Sequence, residues 1–192
     1  MKTLIRLCVI GAVTMAVLTA AGLLYVRSTG LVARADPGPI ETRIARGVRS
    51  LAVPPDVRDR PNPLPADPGF ADARAHYADH CAVCHASDGS GQTEMGQGMW
   101  PKAPDMRLPA TQDLSDGELF WIIENGIRFT GMPGWGTGTP DGEAASWHLV
   151  HFIRHLPQLS EGELELMETL IPRSEADIRQ EIAEERFLQG LD

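Results

Sequence analysis

Cysteine is scarce in this 192-residue chain: there are three, Cys8, Cys81 and Cys84. No second pair accompanies Cys81 and Cys84, so a zinc site built on two Cys pairs is excluded. Cys8 follows Ile5-Arg6-Leu7, whose charge rules out a lipobox-like pattern, and it reads as a small buried apolar side chain. Positive charge is short as well. Seventeen Lys and Arg face twenty-six Asp and Glu, for a net charge of -9. The deficit is uneven: residues 1–65 sum to +5, residues 66–158 to -7 and residues 159–192 to -7. A nucleic-acid partner is therefore disfavoured. No internal repeat is evident, and with the ends set aside roughly 95 residues remain for a core, which is small for a self-sufficient fold.

What is present is concentrated in one stretch, Cys81-Ala82-Val83-Cys84-His85. Two cysteines three apart with histidine next read as a c-type haem attachment site. Each thiol can bond to one vinyl group on the same haem edge, and one helical turn between the sulfurs reaches both. His85 then stands where its ring can rise to the iron as proximal ligand. The rivals are a thioredoxin-like redox pair and half a zinc site. A redox pair would follow a strand and open a long helix, whereas here a helical pattern precedes the motif and a Gly-rich loop, Ser87 to Gly98, follows it. With Cys81 and Cys84 given to haem, no structural disulfide remains.

In chain order, Lys2 and Arg6 precede an uncharged apolar run, Leu7 to Val26. Twenty helical residues span about 30 Å, the thickness of the hydrocarbon core. The run is long for a signal peptide, and the small-x-small Ala33-Arg34-Ala35 lies late after it, so residues 1–26 read as an uncleaved anchor with its N-terminus cytoplasmic. Residues 27–65 carry Pro37, Pro39, Pro54, Pro55, Pro61, Pro63 and Pro65 and read as a solvated linker. Within it Ile40, Ile44, Val48 and Leu51 share one face of a short helix whose Arg43, Arg46 and Arg49 suit lipid headgroups; a plain spacer is the favoured reading.

Residues 66–158 read as the haem domain. A first helix from Pro68 or Phe70 to His80 aligns Phe70, Ala73 and Tyr77. Glycines 89, 91, 96 and 98 permit close backbone approach to a flat ligand. Ser115-Asp116-Gly117-Glu118 is a capping box that opens a helix ended by Gly126. Met132, between Gly131 and Pro133 in a tight loop, is a candidate sixth iron ligand, with Met95, Met99 and Met106 as competitors. A last helix, from Asp141 or Gly142 to Leu156, carries an apolar stripe and a histidine stripe, His148, His151 and His155, read as a polar boundary. His76 and His80 likewise read as boundary residues. Residues 159–192 form an acidic helical extension expected to pack on the haem domain or its linker, with a capping box at Ser160, a last helix starting at Ser174, Leu164, Met167 and Ile171 on one side, and Ile178 and Ile182 inward. Arg107 and Arg128 are candidate partners for haem propionates, and Trp100 and Trp135 candidate covers for the haem edge.

The order of these features resembles the class I cytochrome c family over about Phe70 to Leu156, on the attachment motif, Pro104-Asp105-Met106, Gly131-Met132-Pro133 and Leu149-Val150-His151-Phe152-Ile153. The resemblance implies an all-α fold around one covalently held haem c, preceded here by a single transmembrane helix. It implies first and last helices that cross at Ala73, Tyr77 and Phe152. It implies His85 and Met132 as axial ligands, Pro104 as backbone acceptor for His85, and haem loading outside the bacterial cytoplasm. The sequence departs from the family at Met106, where many members carry Leu. The expectation is a membrane-tethered electron carrier, not an enzyme, on the periplasmic side of a bacterial inner membrane. Its expected partners are redox proteins of membrane respiratory complexes or periplasmic enzymes. A haem subunit of a larger respiratory or dehydrogenase complex and a gas-binding sensor are the alternatives.

Overall fold

The computed structural model describes residues 1–66, 70–172 and 175–190, with the side chains of residues 175–178 excepted. No strand occurs among the described residues; the chain is all-α. Helix α1, Lys2–Thr29, is long and apolar enough to cross a membrane, and every residue of it is exposed. Cys8, expected to be buried, is therefore exposed as well. Helix α2 spans Pro39–Ala52, opened by a proline at N1 whose missing N–H costs nothing there, and α3 is a single turn, Pro55–Arg58.

The packed unit begins before residue 66. Val53 is buried, and the Asn62 amide donates to the Trp147 carbonyl at 2.9 Å. The Ser115 hydroxyl donates to the Arg58 carbonyl at 2.6 Å. A Cβ on Gly117 would fall 1.8 Å from the Val57 carbonyl oxygen, so that glycine lets α3 lie against the next long helix. The Arg60 guanidinium lies over the stacked rings of Phe120 and Trp147. Residues 53–64 are thus docked at several points rather than solvated throughout, because Val57, Arg58, Arg60 and Asn62 meet partners far along the chain.

Helix α4, Ala71–His76, continues through a π-turn, Tyr77–Cys81, into α5, Ala82–His85. The Ala82 N–H bonds the Tyr77 carbonyl, which inserts one residue into the helical register just ahead of the attachment motif. Ala86, with φ 61°, ends the run. After it come α6, Glu94–Gly98, and α7, Pro109–Gln112. Helix α8, Asp116–Asn125, starts at the complete Ser115/Glu118 capping box and stops at Gly126, φ 67°. Helix α9, Pro140–His155, is capped by Thr139.

The core is the crossing of α4 and the π-turn on α9. Tyr77 and Phe152 are fully buried and meet edge-to-face at 5.1 Å, with Ala73, Leu149, Val150 and Leu156 around them. Helix α10, Glu161–Leu170, belongs to this core, beyond the expected boundary at residue 158: Met167 is fully buried. The histidine stripe of α9 ties the flanks to the centre. His151 Nε2 bonds the Leu64 carbonyl at 2.8 Å, and His155 stacks on Phe70 and bonds Glu163 at 2.8 Å. An ion pair pins α10 further, between Arg74 and Glu163 at 3.4 Å. Helix α11, Glu175–Leu188, differs: Ile182, expected inward, is half exposed, and Phe187 and Leu188 are more so. Ser174 lies outside the described residues, as does the side chain of Ile178.

Candidate functional site

Cys81, Cys84 and His85 sit at the end of the rephased helix, where its last turn meets the loop that follows. That loop folds back tightly. The His85 carbonyl accepts from Gly91 N–H at 2.8 Å, and the Cys84 carbonyl accepts from the Thr93 hydroxyl at 3.2 Å. A Cβ on Gly96 would lie 2.2 Å from the Cys84 carbonyl oxygen, and one on Gly91 would lie 2.5 Å from the Ala103 carbonyl oxygen and 3.0 Å from that of Pro104. Glycine at these two places lets the loop backbone wrap the attachment motif and bring Pro104 over it. The Met106 N–H closes the wrap on the Gly89 carbonyl at 2.8 Å, and the Tyr77 hydroxyl fastens the Ala86 carbonyl at 3.0 Å.

Both thiols are free and half-buried. Burial pushes the Cys81 thiol up to about 12, with the neighbouring Cys84 adding to the rise, and burial raises Cys84 too. A redox-active pair needs a stabilised thiolate; burial here works against the thiolate at both cysteines. Among the described residues no group of three or more His, Cys, Asp or Glu is placed to hold a metal ion. Burial also lowers the pKa of His85, and the Pro104 carbonyl opposes part of that shift. The approach falls short of full hydrogen-bond geometry, so Nδ1 is buried without a partner. A buried, unpartnered Nδ1 on a histidine whose ring lies near a proline carbonyl, beside two unpaired thiols one turn apart, fits a covalently attached haem, which Cys81, Cys84 and His85 would hold.

The Met132 loop faces this assembly from the C-terminus of α8. Its backbone is held locally: Ile127 N–H donates to the Met132 carbonyl at 3.1 Å, Met132 N–H to the Thr130 hydroxyl at 3.1 Å, and Trp135 N–H to the Ile123 carbonyl at 2.8 Å. Two side-chain contacts join the loops. The Trp135 ring stacks on His80 at 5.0 Å, and the Met99 sulfur would be 2.1 Å from a Cβ on Gly131. Met132 is half-buried, and Met99 stands beside it as a second thioether. The other competitors are placed elsewhere: Met106 is in the protein core and Met95 is 55% exposed.

The remaining candidates separate. Trp100 and Trp135 are half-buried, and Pro104 presents its carbonyl to the His85 side. Arg107 is engaged with carboxylates instead of being free for propionates: it pairs with Asp88 at 2.7 Å and Asp105 at 2.8 Å. The bond from Arg107 holds the Asp105 carboxyl below its usual range. The pair brackets the loop because Asp105 is two residues away and Asp88 lies at the loop's other end. Arg128 is exposed on the loop before Met132. Thr93 and the contacts of Met99 with Gly131 and of His80 with Trp135 are the parts that the sequence did not reveal. Thr93 with Gly96 is a helix-capping spacing that signals α6, but nothing in the sequence ties Met99 to Gly131.

Residues 68–153 match the family model for cytochrome C oxidase, cbb3-type, subunit III. No curated protein matches the chain.

Proposed function

From the premise that residues 68–153 are a c-type cytochrome domain, made for haem-based electron transfer, we propose that this chain is a membrane-tethered one-electron carrier with a single haem c. A covalent haem c is what such a domain implies; its proposed attachment is to Cys81 and Cys84, with His85 and Met132 as axial ligands. Bound there, the haem supplies Fe(II)/Fe(III) exchange. The chain's own residues do the rest. Cys81 and Cys84 fix position, the Pro104 carbonyl orients His85, and the loops that meet through Met99 and Trp135 exclude water. A thioether ligand in a dry site favours the reduced state and raises the potential. Helix α1 is the proposed tether, with the domain on the periplasmic side of a bacterial inner membrane. The single observation that supports the site assignment is the buried, unpartnered Nδ1 of His85, on a ring that the Pro104 carbonyl influences, next to two free thiols.

The ligand assignment is tested by the weak charge-transfer band that ferric His/Met haem shows near the red end of the visible spectrum. It should vanish in Met132→Ala and persist in Met99→Ala and Met106→Ala. Loss in Met99→Ala alone moves the ligand to Met99. Carbon monoxide should leave the ferrous spectrum of the wild type unchanged; a shift would favour a gas-binding site.

The second reading, a haem subunit of a respiratory oxidase, is favoured by the printed description of the matching family. Purification from mild detergent separates the two, since a carrier elutes alone and a subunit elutes with partners.

A further inference from the structure

Helix α2 is built inside out for a helix that leans on a domain. Ile40, Ile44, Val48 and Leu51 recur at four- and three-residue steps and share one face. That face turns away from the protein: they are 75%, 62%, 60% and 87% exposed. Thr42 and Arg49, on the opposite side, are the half-buried residues of the helix. Arg49 is desolvated there beside the charge of Glu118. The C-terminal end is pinned as well, by Arg58 donating to the Ser50 carbonyl and by buried Val53. The domain thus holds α2 by its polar side and presents its apolar side outward.

Position and charge identify what covers that side. Nine residues, Gly30–Gly38, separate α2 from the end of α1, so α2 begins within about 30 Å of that end. Arg43 borders the apolar face, and Arg27 and Arg34 lie in and just after the last turn of α1, all three exposed. Residues 1–65 are the positively charged part of an acidic chain. An apolar stripe edged by arginines close to a membrane helix is the pattern of a helix lying in the lipid interface.

We propose that α2 is an interfacial helix: its Ile40, Ile44, Val48 and Leu51 face enters the surface of the bilayer that α1 crosses, with Arg27, Arg34 and Arg43 on anionic headgroups. This rests on the tether reading above. The helix sets the height and tilt of the haem domain, since its polar side and the residues after it are fixed to that domain. Glu41, in the first turn, lies at the rim of the stripe and tips the N-terminal end towards water.

The test uses the full-length holoprotein with Cys8→Ala, in which the two haem thioethers leave no other free thiol. Single cysteines are added by Met15→Cys, Ile44→Cys, Val48→Cys or Arg46→Cys, labelled with an environment-sensitive fluorophore, and placed in nanodiscs of phosphatidylethanolamine and phosphatidylglycerol. Lipid-borne quenchers at shallow and deep positions report depth. Labels at 44 and 48 should be quenched by the shallow quencher at least threefold more than the label at 46, and the label at 15 by the deep one. Quenching at 15 with 44 and 48 as aqueous as 46 overturns the interfacial helix and leaves the tether standing. No quenching at 15 overturns both. Protection of 44 and 48 in native membranes but not in lipid-only discs assigns the face to a partner protein and overturns the lipid assignment. Unlabelled Ile44→Glu/Val48→Glu provides an independent readout: its visible spectrum should match the wild type while haem quenching of a headgroup fluorophore falls at least twofold.

Discussion

The two loops that frame the site are held in different ways. The loop after His85 is bonded to the attachment helix at the carbonyls of Cys84, His85 and Ala86, and it is braced by the Arg107 bracket. Gly91 and Gly96 sit against backbone carbonyl oxygens, which cannot yield as a side chain can. The Met132 loop is bonded almost wholly within residues 123–136, and its one tight glycine contact outside that stretch, Gly131, meets the end of a flexible methionine. Phe129 at its tip is 93% exposed. The lesson is a division of labour: the attachment side is tied to its helix through backbone, while the Met132 side meets it through flexible side chains, an asymmetry that suits the proposed pairing of a permanent bond on one side with a weaker thioether bond on the other.

The sharpest way to break the comparison is to remove the permanent bond. Cys81→Ser with Cys84→Ser should release haem to acidified organic solvent, and the domain should fold poorly. Wild-type protein that releases its haem under the same treatment would show that the bond is not covalent.

Next come the two glycines. Gly96→Ala pushes a methyl into the Cys84 carbonyl and should cost about 2–3 kcal/mol of stability, the range of an overpacked core. Gly131→Ala displaces only the Met99 side chain and should cost less than about 1 kcal/mol. Denaturant midpoints of the two holoproteins give the difference, and equal losses would erase the asymmetry between the loops.

A smaller effect concerns acid. Asp105 is held below its ordinary 3.8, chiefly by the hydrogen bond from Arg107. A depressed folded-state value stabilises above the unfolded value and is lost as pH falls through the folded one. The His85 loop should therefore loosen below about pH 4, and Arg107→Gln should move that onset upward. The pair is partly exposed, so the variant should cost only about 0.5 kcal/mol at neutral pH. Amide exchange at Ser87–Ser90 against pH measures it, and an onset unmoved in the variant would assign the acid response elsewhere.

The smallest effect is on encounter. Residues 66–158 carry -7 before any propionate is counted, so electron transfer to a basic redox partner should slow as salt rises. A flat rate across a salt series would leave that charge with solubility alone. Deleting residues 159–192 should leave most of the salt dependence, provided the truncated protein retains its visible spectrum; loss of the dependence in a folded variant would move the field to the tail.

Part of this molecule is written in short-range patterns, and there the sequence alone was decisive. A capping box needs three residues and a buried face needs a stripe at helical spacing, so Ser115, Ser160 and the stripes carrying Ala73, Tyr77 and Phe152 declare themselves, while their crossing followed from the family resemblance. The π-turn before Cys81 has no such pattern, since an added residue leaves composition unchanged. Other features depend on partners that only folding supplies. Residues 53–64 read as linker because prolines dominate them, yet Asn62 is fixed by a carbonyl 85 residues away. That the extension packs was legible from its Leu164, Met167 and Ile171 side, but that Met167 would be fully buried was not, and Met99 reaches Gly131 across a loop. Arg107 had its carboxylates nearby in sequence, but a free cation and an engaged one look alike until the loop closes. Local hydrogen bonds and helical phase are encoded over three or four residues; which distant surfaces meet is decided by packing the whole chain at once, and only the tertiary structure records it.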